Sequence, residues 1–294
     1  MQQLLVVLFL FAYSASGFSC ENWSSPVTIG NLNKKFIPES SGIAVAGLAE
    51  NRLYHVNDSG DAGQFYVTDT KGNNTQIVSV KNFYPQDVED MDVGPCGNDT
   101  CLYIADIGNN LRIRRTIEVV LVKETATFLP EVSIHKRLKL KYPDWGHNAE
   151  ALAVHPSGDL YLITKEKKWF SGDRDALIYT ITADQVEKGG EQDLALVGKL
   201  KLSKILKTAD KNDQVVTSFD IHPDGKAFLV LTYGYVIEFQ ADLNTFSDGA
   251  AYQIVPTTRL RQQEAIHYTQ AGEGFIYTTE MQGNNSPIIE IHCQ

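Results

Sequence analysis

One short pattern recurs five times along the 294-residue chain and constrains its fold more than any other feature. In each copy, a small or acidic residue is followed two places on by a bulky apolar one, then a strand-like run, a turn and a second strand. The first strands begin at Ser41, Glu89, Glu150, Thr217 and Glu264, here called the anchors, and the second strands end at Asn57, Asp106, Thr164, Thr232 and Thr279. The two positions lie 16, 17, 14, 15 and 15 residues apart. A repeat of roughly 50 residues built from short strands is typical of a β-propeller with one repeat per blade.

The repeats predict an all-β chain of five four-stranded blades. Six blades is the alternative, because repeats two and three are longer than the others. We assign the excess to loops at 124–134 and 167–175, and to a loop or short helix at 204–214. The fifth repeat ends before its outer strand, so the N-terminal segment 26–32 is expected to supply that strand and close the ring.

The N-terminus resembles a secretory leader. Residues 4–12 are continuously apolar but too few to span a bilayer, and small residues follow at 15–17. We predict a signal peptide over residues 1–17 and a single propeller domain over 18–294; an uncleaved N-terminal anchor is the alternative. The mature chain would be secreted to the extracellular space, or to the periplasm if the source is bacterial, and no later segment predicts a membrane span.

The four cysteines of a secreted chain predict two disulfides. Cys96 and Cys101 flank a four-residue turn and can close a hairpin tip. Cys20 and Cys293 stand near the two ends of the mature chain, which become neighbours if the N-terminal strand closes the last blade. We therefore predict the pairs Cys96–Cys101 and Cys20–Cys293.

The formal net charge of −10 argues against a nucleic-acid partner and favours a small-molecule or cationic ligand. No Gly-x-Ser-x-Gly elbow, phosphate-binding loop or dinucleotide fingerprint occurs in the sequence. The oligomeric state stays open.

Polar residues concentrate where the inner strands start and the second strands end, positions that share one face of a propeller. We call this predicted opening the acidic funnel. Its members from strand starts are Glu39, Asp87, Glu89, Asn148, Glu150, Gln262 and Glu264, and those from strand ends are Asn57, Asp58, Asp106, Asn109, Lys165, Tyr233 and Glu280. Carboxylates crowded together either keep protons or bind a cation. Oxygen donors suit calcium, whereas magnesium demands tighter octahedral geometry. The alternative is that these acids only solvate turns.

Other polar residues carry weaker signals. His155 and His222 precede Pro-Ser-Gly and Pro-Asp-Gly and are interpreted as turn residues. His147 adjoins the funnel and is the histidine worth testing as a base. Lys165 is either a salt-bridge partner or an electrophile that stabilises an anionic group. Arg112, Arg114 and Arg115 form a solvated basic loop or a clamp for an anion.

The blocks ESSGIA, NDSG, QDVEDMDV, LYIADIGNN, NAEALAV, TSFDIHPDG and QQEAI resemble a family of secreted, largely uncharacterised β-propeller proteins found mostly in bacteria. Relatives usually have Asp-Ile-Gly-Asp-Asn, and in this chain Asn109 replaces the second acid of that pattern. That family is distantly similar to calcium-dependent propeller hydrolases such as gluconolactonases, paraoxonases and propeller phytases. The resemblance implies that the ligands or acid/base groups are Glu39, Asp58, Glu89, Asp106, Glu150 and Glu264.

Two hypotheses follow for function. The first is a secreted calcium-dependent hydrolase of small esters, lactones or phosphoesters, with Glu150 or Glu264 as base, Lys165 stabilising negative charge, and metal ligands Glu39, Asp58, Glu89 and Asp106. A five-bladed glycosidase is a variant of it. The second is a non-catalytic module that binds calcium or a cationic ligand, a protein or a glycan, with rim aromatics Trp145, Trp169, Phe170 and Tyr233.

Overall fold

The structure is a computed structural model that describes residues 20–58, 60–165, 175–207, 210–247, 249–280 and 286–294. Its strands, in chain order, are β1 (Val27–Leu32), β2 (Ser40–Val45), β3 (Arg52–Asn57), β4 (Gln64–Asp69), β5 (Gln76–Lys81), β6 (Val88–Cys96), β7 (Asp99–Asp106), β8 (Thr116–Lys123), β9 (Glu131–Ser133), β10 (Lys136–Lys141), β11 (Ala149–Val154), β12 (Leu160–Thr164), β13 (Ala176–Ile181), β14 (Gly190–Asp193), β15 (Ala195–Leu200), β16 (Val216–Ile221), β17 (Phe228–Thr232), β18 (Val236–Gln240), β19 (Ala251–Val255), β20 (Gln263–Tyr268), β21 (Gly274–Thr279) and β22 (Ser286–His292). The helices are α1 (Ala183–Lys188) and α2 (Leu202–Ile205), with 3₁₀ turns at Lys211–Gln214 and Leu243–Thr245.

These strands form the five blades of a β-propeller, as the repeat predicted. Blades one to four begin at β2, β6, β11 and β16, and each consists mainly of consecutive antiparallel strands. Blade five contains β20, β21 and β22, and β1 from the N-terminus pairs with β22 as its outer strand. The prediction of five blades and the N-terminal closure are therefore confirmed.

The excess residues of the longer repeats add edge strands rather than a sixth blade. The segment 124–134 was expected to be a loop, but its end forms β9, which pairs in parallel with β5 on the edge of blade one. Similarly, β14 pairs in parallel with β10 on the edge of blade two. Each addition covers an otherwise exposed row of backbone hydrogen-bonding groups. Helix α1, which the sequence did not predict, begins at a capping box made by Thr182 and Gln185 and leads into β14.

The core lies between blades, where the sheets face one another. Tyr103 and Leu121 of blade two pack in one buried cluster with Leu152 and Leu162 of blade three. The inner strand β11 is buried along its whole length. Inner strands enclosed in this way hold their end residues at fixed positions around the axis.

Both predicted disulfides are present, Cys20–Cys293 and Cys96–Cys101, with sequence separations of 273 and 5 residues. The first pins the closing N-terminal segment beside the end of the chain, where Trp23 and Cys293 also form a β-bridge. None of the helices in the described part of the chain has the length and apolar character needed to cross a bilayer.

Candidate functional site

Every inner strand starts with a β-bulge, and the bulged residue is the anchor of the repeat. The cross-strand register shifts between Ser40 and Gly42 in blade one. The equivalent shifts enclose the anchors Glu89, Glu150, Thr217 and Glu264. A bulged residue has no directly opposed partner, and a bulge re-aims the side chain. The recurring anchor therefore marks a bulge at the start of each inner strand, and in blades two, three and five the bulged residue is a glutamate.

Three carboxylates from blades one and two converge in the funnel. Oxygen atoms of Asp58, Asp87 and Glu89 all lie within 4.8 Å of one another. Gly108 leaves room for two of them, because a methyl group at that position would overlap Asp87 Oδ2 and Glu89 Oε1. The Gly108 N–H donates a 3.0 Å hydrogen bond to the carbonyl of Asp87, which holds the two segments together.

Burial and mutual repulsion disfavour ionisation in this group. Burial, followed by the charges of Asp58 and Glu150, raises the pKa of Asp87 to about 6. Burial, with the charges of Glu150, Asp58 and Asp87, raises the pKa of Glu89 well above its usual value. A bound cation would reverse both shifts, because it stabilises the ionised form.

Lys165 lies beside this group and is held by Glu150. Its Nζ donates to Glu150 Oε2 at 2.5 Å and to the Tyr233 hydroxyl at 3.1 Å. The other carboxylate oxygen of Glu150 accepts from Asn148 Nδ2 at 2.5 Å. Burial alone would lower the pKa of Lys165, but the carboxylates of Glu150 and Glu264 outweigh it and raise that pKa. Lys165 is therefore a charged ammonium with a fixed position.

Glu264 is buried at the start of the inner strand of blade five, close to Lys165 and Tyr233. Burial raises its pKa to about 8; the charges of Glu150 and Glu280 add to this effect, whereas Lys165 and a hydrogen bond with Tyr233 oppose it. Burial, with the charges of Asp58 and Glu39, likewise raises the pKa of Glu280 to about 7. Carboxyl groups with such pKa values can exchange protons near neutral pH.

Two predicted ligands take other positions. Asp106 makes a two-pronged salt bridge with Arg114 at 3.0 and 2.9 Å and accepts the Asp87 N–H at 2.8 Å, so its carboxylate holds the loop together. Glu39 is exposed at the rim of the funnel, and its charge acts on Glu280. Asn109 donates to the carbonyls of Arg114 and His147 at 2.8 and 3.0 Å, so it also organises this loop.

The histidines singled out by sequence lie outside this cluster of acids. His147 Nε2 bonds Asp144 and the Tyr179 hydroxyl at 3.0 and 3.1 Å, and its ring packs against Tyr142. His155 and His222 open β-turns, in which their carbonyls accept the N–H groups of the glycines three residues later at 2.7 and 2.8 Å.

The aromatic residues expected at the rim of the funnel differ in their exposure to solvent. Trp145 is 61% exposed, with the Arg115 guanidinium 5.3 Å from its ring centre. Tyr233 is partly buried against Lys165, whose Nζ lies 5.1 Å from the ring centre. Trp169 and Phe170 lie outside the described residues, as do residues 1–17.

Sequence reasoning missed a second charged group further along the inner strands. Asp92, Asp220 and His267 bring ligand-type atoms within 4.8 Å of one another and line a cavity of about 180 Å³. The Asp92 and Asp220 carboxylates each accept a backbone N–H from the next blade at 2.6 Å, from Val154 and Tyr268. Asp92, Asp220 and His267 each stand three positions after the anchor of their repeat. An alignment of the five repeats would therefore have revealed this group.

The sequence was compared with protein families and with curated proteins, and neither comparison gave a match.

Proposed function

We propose that this protein is a secreted, cation-dependent hydrolase of small esters, lactones or phosphoesters, with its active site in the acidic funnel. The observation that carries the proposal is the side-by-side placement of two units. One is the Asp58–Asp87–Glu89 group, and the other is Lys165 with Glu264, a charged ammonium next to a carboxyl that exchanges a proton near neutral pH. Two disulfides and the leader-like N-terminus support secretion.

The Asp58–Asp87–Glu89 group fits a hard divalent cation. Its donors are carboxylate oxygens from two blades, and calcium accepts such ligands in flexible geometry. Burial and then the negative charge of neighbouring carboxylates raise the pKa values of Asp87 and Glu89, and a cation would neutralise that charge. When bound there, calcium would polarise a substrate oxygen and acidify a bound water.

Among the acid/base candidates, the geometry favours Glu264 over Glu150. Both oxygens of Glu150 accept hydrogen bonds, from Asn148 and Lys165, so this carboxylate orients the lysine. Glu264, with its pKa of about 8, can take a proton from water or give one to a leaving group. The Lys165 ammonium lies close to Glu264 and would stabilise negative charge that develops on the substrate.

The test is turnover of a panel of esters, lactones and phosphoesters, measured with calcium and with excess chelator. Chelation should abolish turnover and added calcium should restore it. Glu264→Gln should lower kcat at least a hundredfold while calcium still raises the Tm, and Asp87→Asn should weaken calcium binding. Glu131→Gln on the exposed edge strand β9 is the matched control. Activity that survives both chelation and Glu264→Gln would contradict the proposal.

A second candidate is a non-catalytic module whose funnel binds a cationic ligand. The exposed Trp145 beside the funnel loop and the excess of carboxylates over Lys165 favour it. This function predicts that calcium raises the Tm while the whole substrate panel stays unhydrolysed.

A further inference from the structure

A groove far from the anchors separates the outer parts of blades three and four. It has a volume of about 370 Å³ and is lined by β15, α2, β18, β19 and the segment that precedes β19. Pockets that bind small molecules typically measure about 300–1,000 Å³ and are mostly apolar, with a few polar groups that set specificity. The groove meets this description independently of the funnel.

Aromatic side chains form a preorganised wall. Phe239 is buried and stacks on Phe228 with ring centres 4.8 Å apart. Phe246 packs edge-on against Phe228 at 6.0 Å, and Tyr252 lies 6.0 Å from Phe239. Tyr252 remains 43% exposed, so the wall offers apolar surface to a ligand. Rings held by each other lose little conformational freedom on binding.

Three lysines surround this wall. Lys199, Lys201 and Lys204 all line the groove and fall within one short stretch of a chain whose net charge is −10. Lys199 is half-exposed and pairs with Asp175 at 3.3 Å. The Lys204 ammonium has no carboxylate partner among the residues that the structure describes. Lys204 therefore offers a positive charge beside the aromatic wall, although the net charge of the chain is negative.

We infer that this groove binds a small amphipathic organic anion, with an apolar body against Phe246 and Tyr252 and a carboxylate or sulfonate at Lys204. The positive charge of the groove complements the anionic group of such a molecule, and the aromatic wall complements its apolar body. A neutral apolar ligand would leave the lysines unused, and a cationic amphiphile would be repelled by them.

The probe is 8-anilinonaphthalene-1-sulfonate, titrated by fluorescence at low ionic strength and displaced by decanoate. The charge-reversed variant Lys201→Glu/Lys204→Glu should bind the probe at least tenfold more weakly, and Tyr252→Ala should also weaken binding. The exposed pair Lys71→Glu/Lys226→Glu carries the same charge change elsewhere and should stay within twofold of the wild type. Decanoate should displace the probe, whereas decyltrimethylammonium at the same concentration should not.

Unchanged affinity in the charge-reversed variant would overturn the inference, as would equal displacement by the cationic amphiphile. Near-ultraviolet circular dichroism checks that each variant is folded, because the probe also binds partly unfolded chains. If the double variant does not fold, crystals of the wild type soaked in decanoate provide the second test. Decanoate between Phe246 and Tyr252 is expected there, and decanoate bound only elsewhere would refute the site.

Discussion

His267 Nε2 donates a 2.9 Å hydrogen bond to Asp92 Oδ1, which joins blade five to blade two across the propeller axis. The other ring nitrogen faces the Tyr268 carbonyl at 2.6 Å and Asp220 Oδ2 at 3.4 Å. Both nitrogens therefore meet acceptors, and the ring is a doubly protonated imidazolium. Although burial opposes the charge, the carboxylates of Asp220 and Asp92 raise the pKa of His267 to about 10.

This ion pair predicts that stability falls as the pH rises. The folded-state pKa of His267 lies above the usual value of 6.5, so its contribution is complete below about pH 6.5 and disappears as the pH approaches 10. His267→Gln should lower the free energy of unfolding at pH 6 by about 3 kcal/mol and flatten its decline between pH 7 and 10. Urea unfolding across that range measures both effects. The exposed His292→Gln is the control, and an identical slope in both variants would exclude the imidazolium.

Replacing Gly108 with alanine is predicted to weaken calcium binding while leaving the stability of the fold nearly unchanged. In Gly108→Ala the new methyl group would overlap the ends of the Asp87 and Glu89 side chains, which can rotate away without moving the backbone. Calcium should therefore bind at least tenfold more weakly, while the free energy of unfolding without calcium changes by less than about 1 kcal/mol. Isothermal titration calorimetry and urea unfolding give the two quantities. Calcium affinity equal to that of the wild type would place the cation elsewhere.

Substitutions at Lys165 and Glu150 are predicted to have strongly non-additive effects on the free energy of unfolding. Lys165→Met leaves the buried carboxylate of Glu150 without its cation, which typically costs about 3–5 kcal/mol. Adding Glu150→Gln should recover most of that loss, because a neutral amide needs no counter-charge. Urea unfolding at pH 8 of the wild type, both single variants and the double variant completes the cycle. Simple addition of the two single effects would mean that the pair is not coupled.

Removing each of the two disulfides is predicted to lower the free energy of unfolding by a different amount. Chain-entropy arguments give about 5–6 kcal/mol for the 273-residue separation of Cys20–Cys293 and about 2 kcal/mol for the 5-residue separation of Cys96–Cys101. Replacing each pair by serine and measuring unfolding by urea tests the ratio. Since both variants remove the same chemical bond, each is the control for the other. Equal losses would show that closure of the ring does not depend on the terminal disulfide.

Within the funnel, sequence reasoning was accurate where a position follows from local periodicity. Glu89, Glu150 and Glu264 occupy equivalent bulges because each stands at the same place in its repeat. The sequence did not predict that the carboxylate of Asp106 forms a salt bridge with Arg114. That pairing depends on the path of the loop after β7, and no periodic pattern describes this path. Asp87, which the sequence placed in the funnel but not among the metal ligands, lies with Asp58 and Glu89 instead.

The amino-acid sequence by itself determined the five blades, the closing N-terminal strand and both disulfides, because each depends on strand alternation, repeat length and the order of segments along the chain. Only the tertiary structure decided which charges meet. Asp92 and His267 are 175 residues apart, and Lys199 and Tyr252 belong to different blades. Such contacts arise from the curvature of the ring and the packing of blade on blade, which bring together side chains that no local pattern relates.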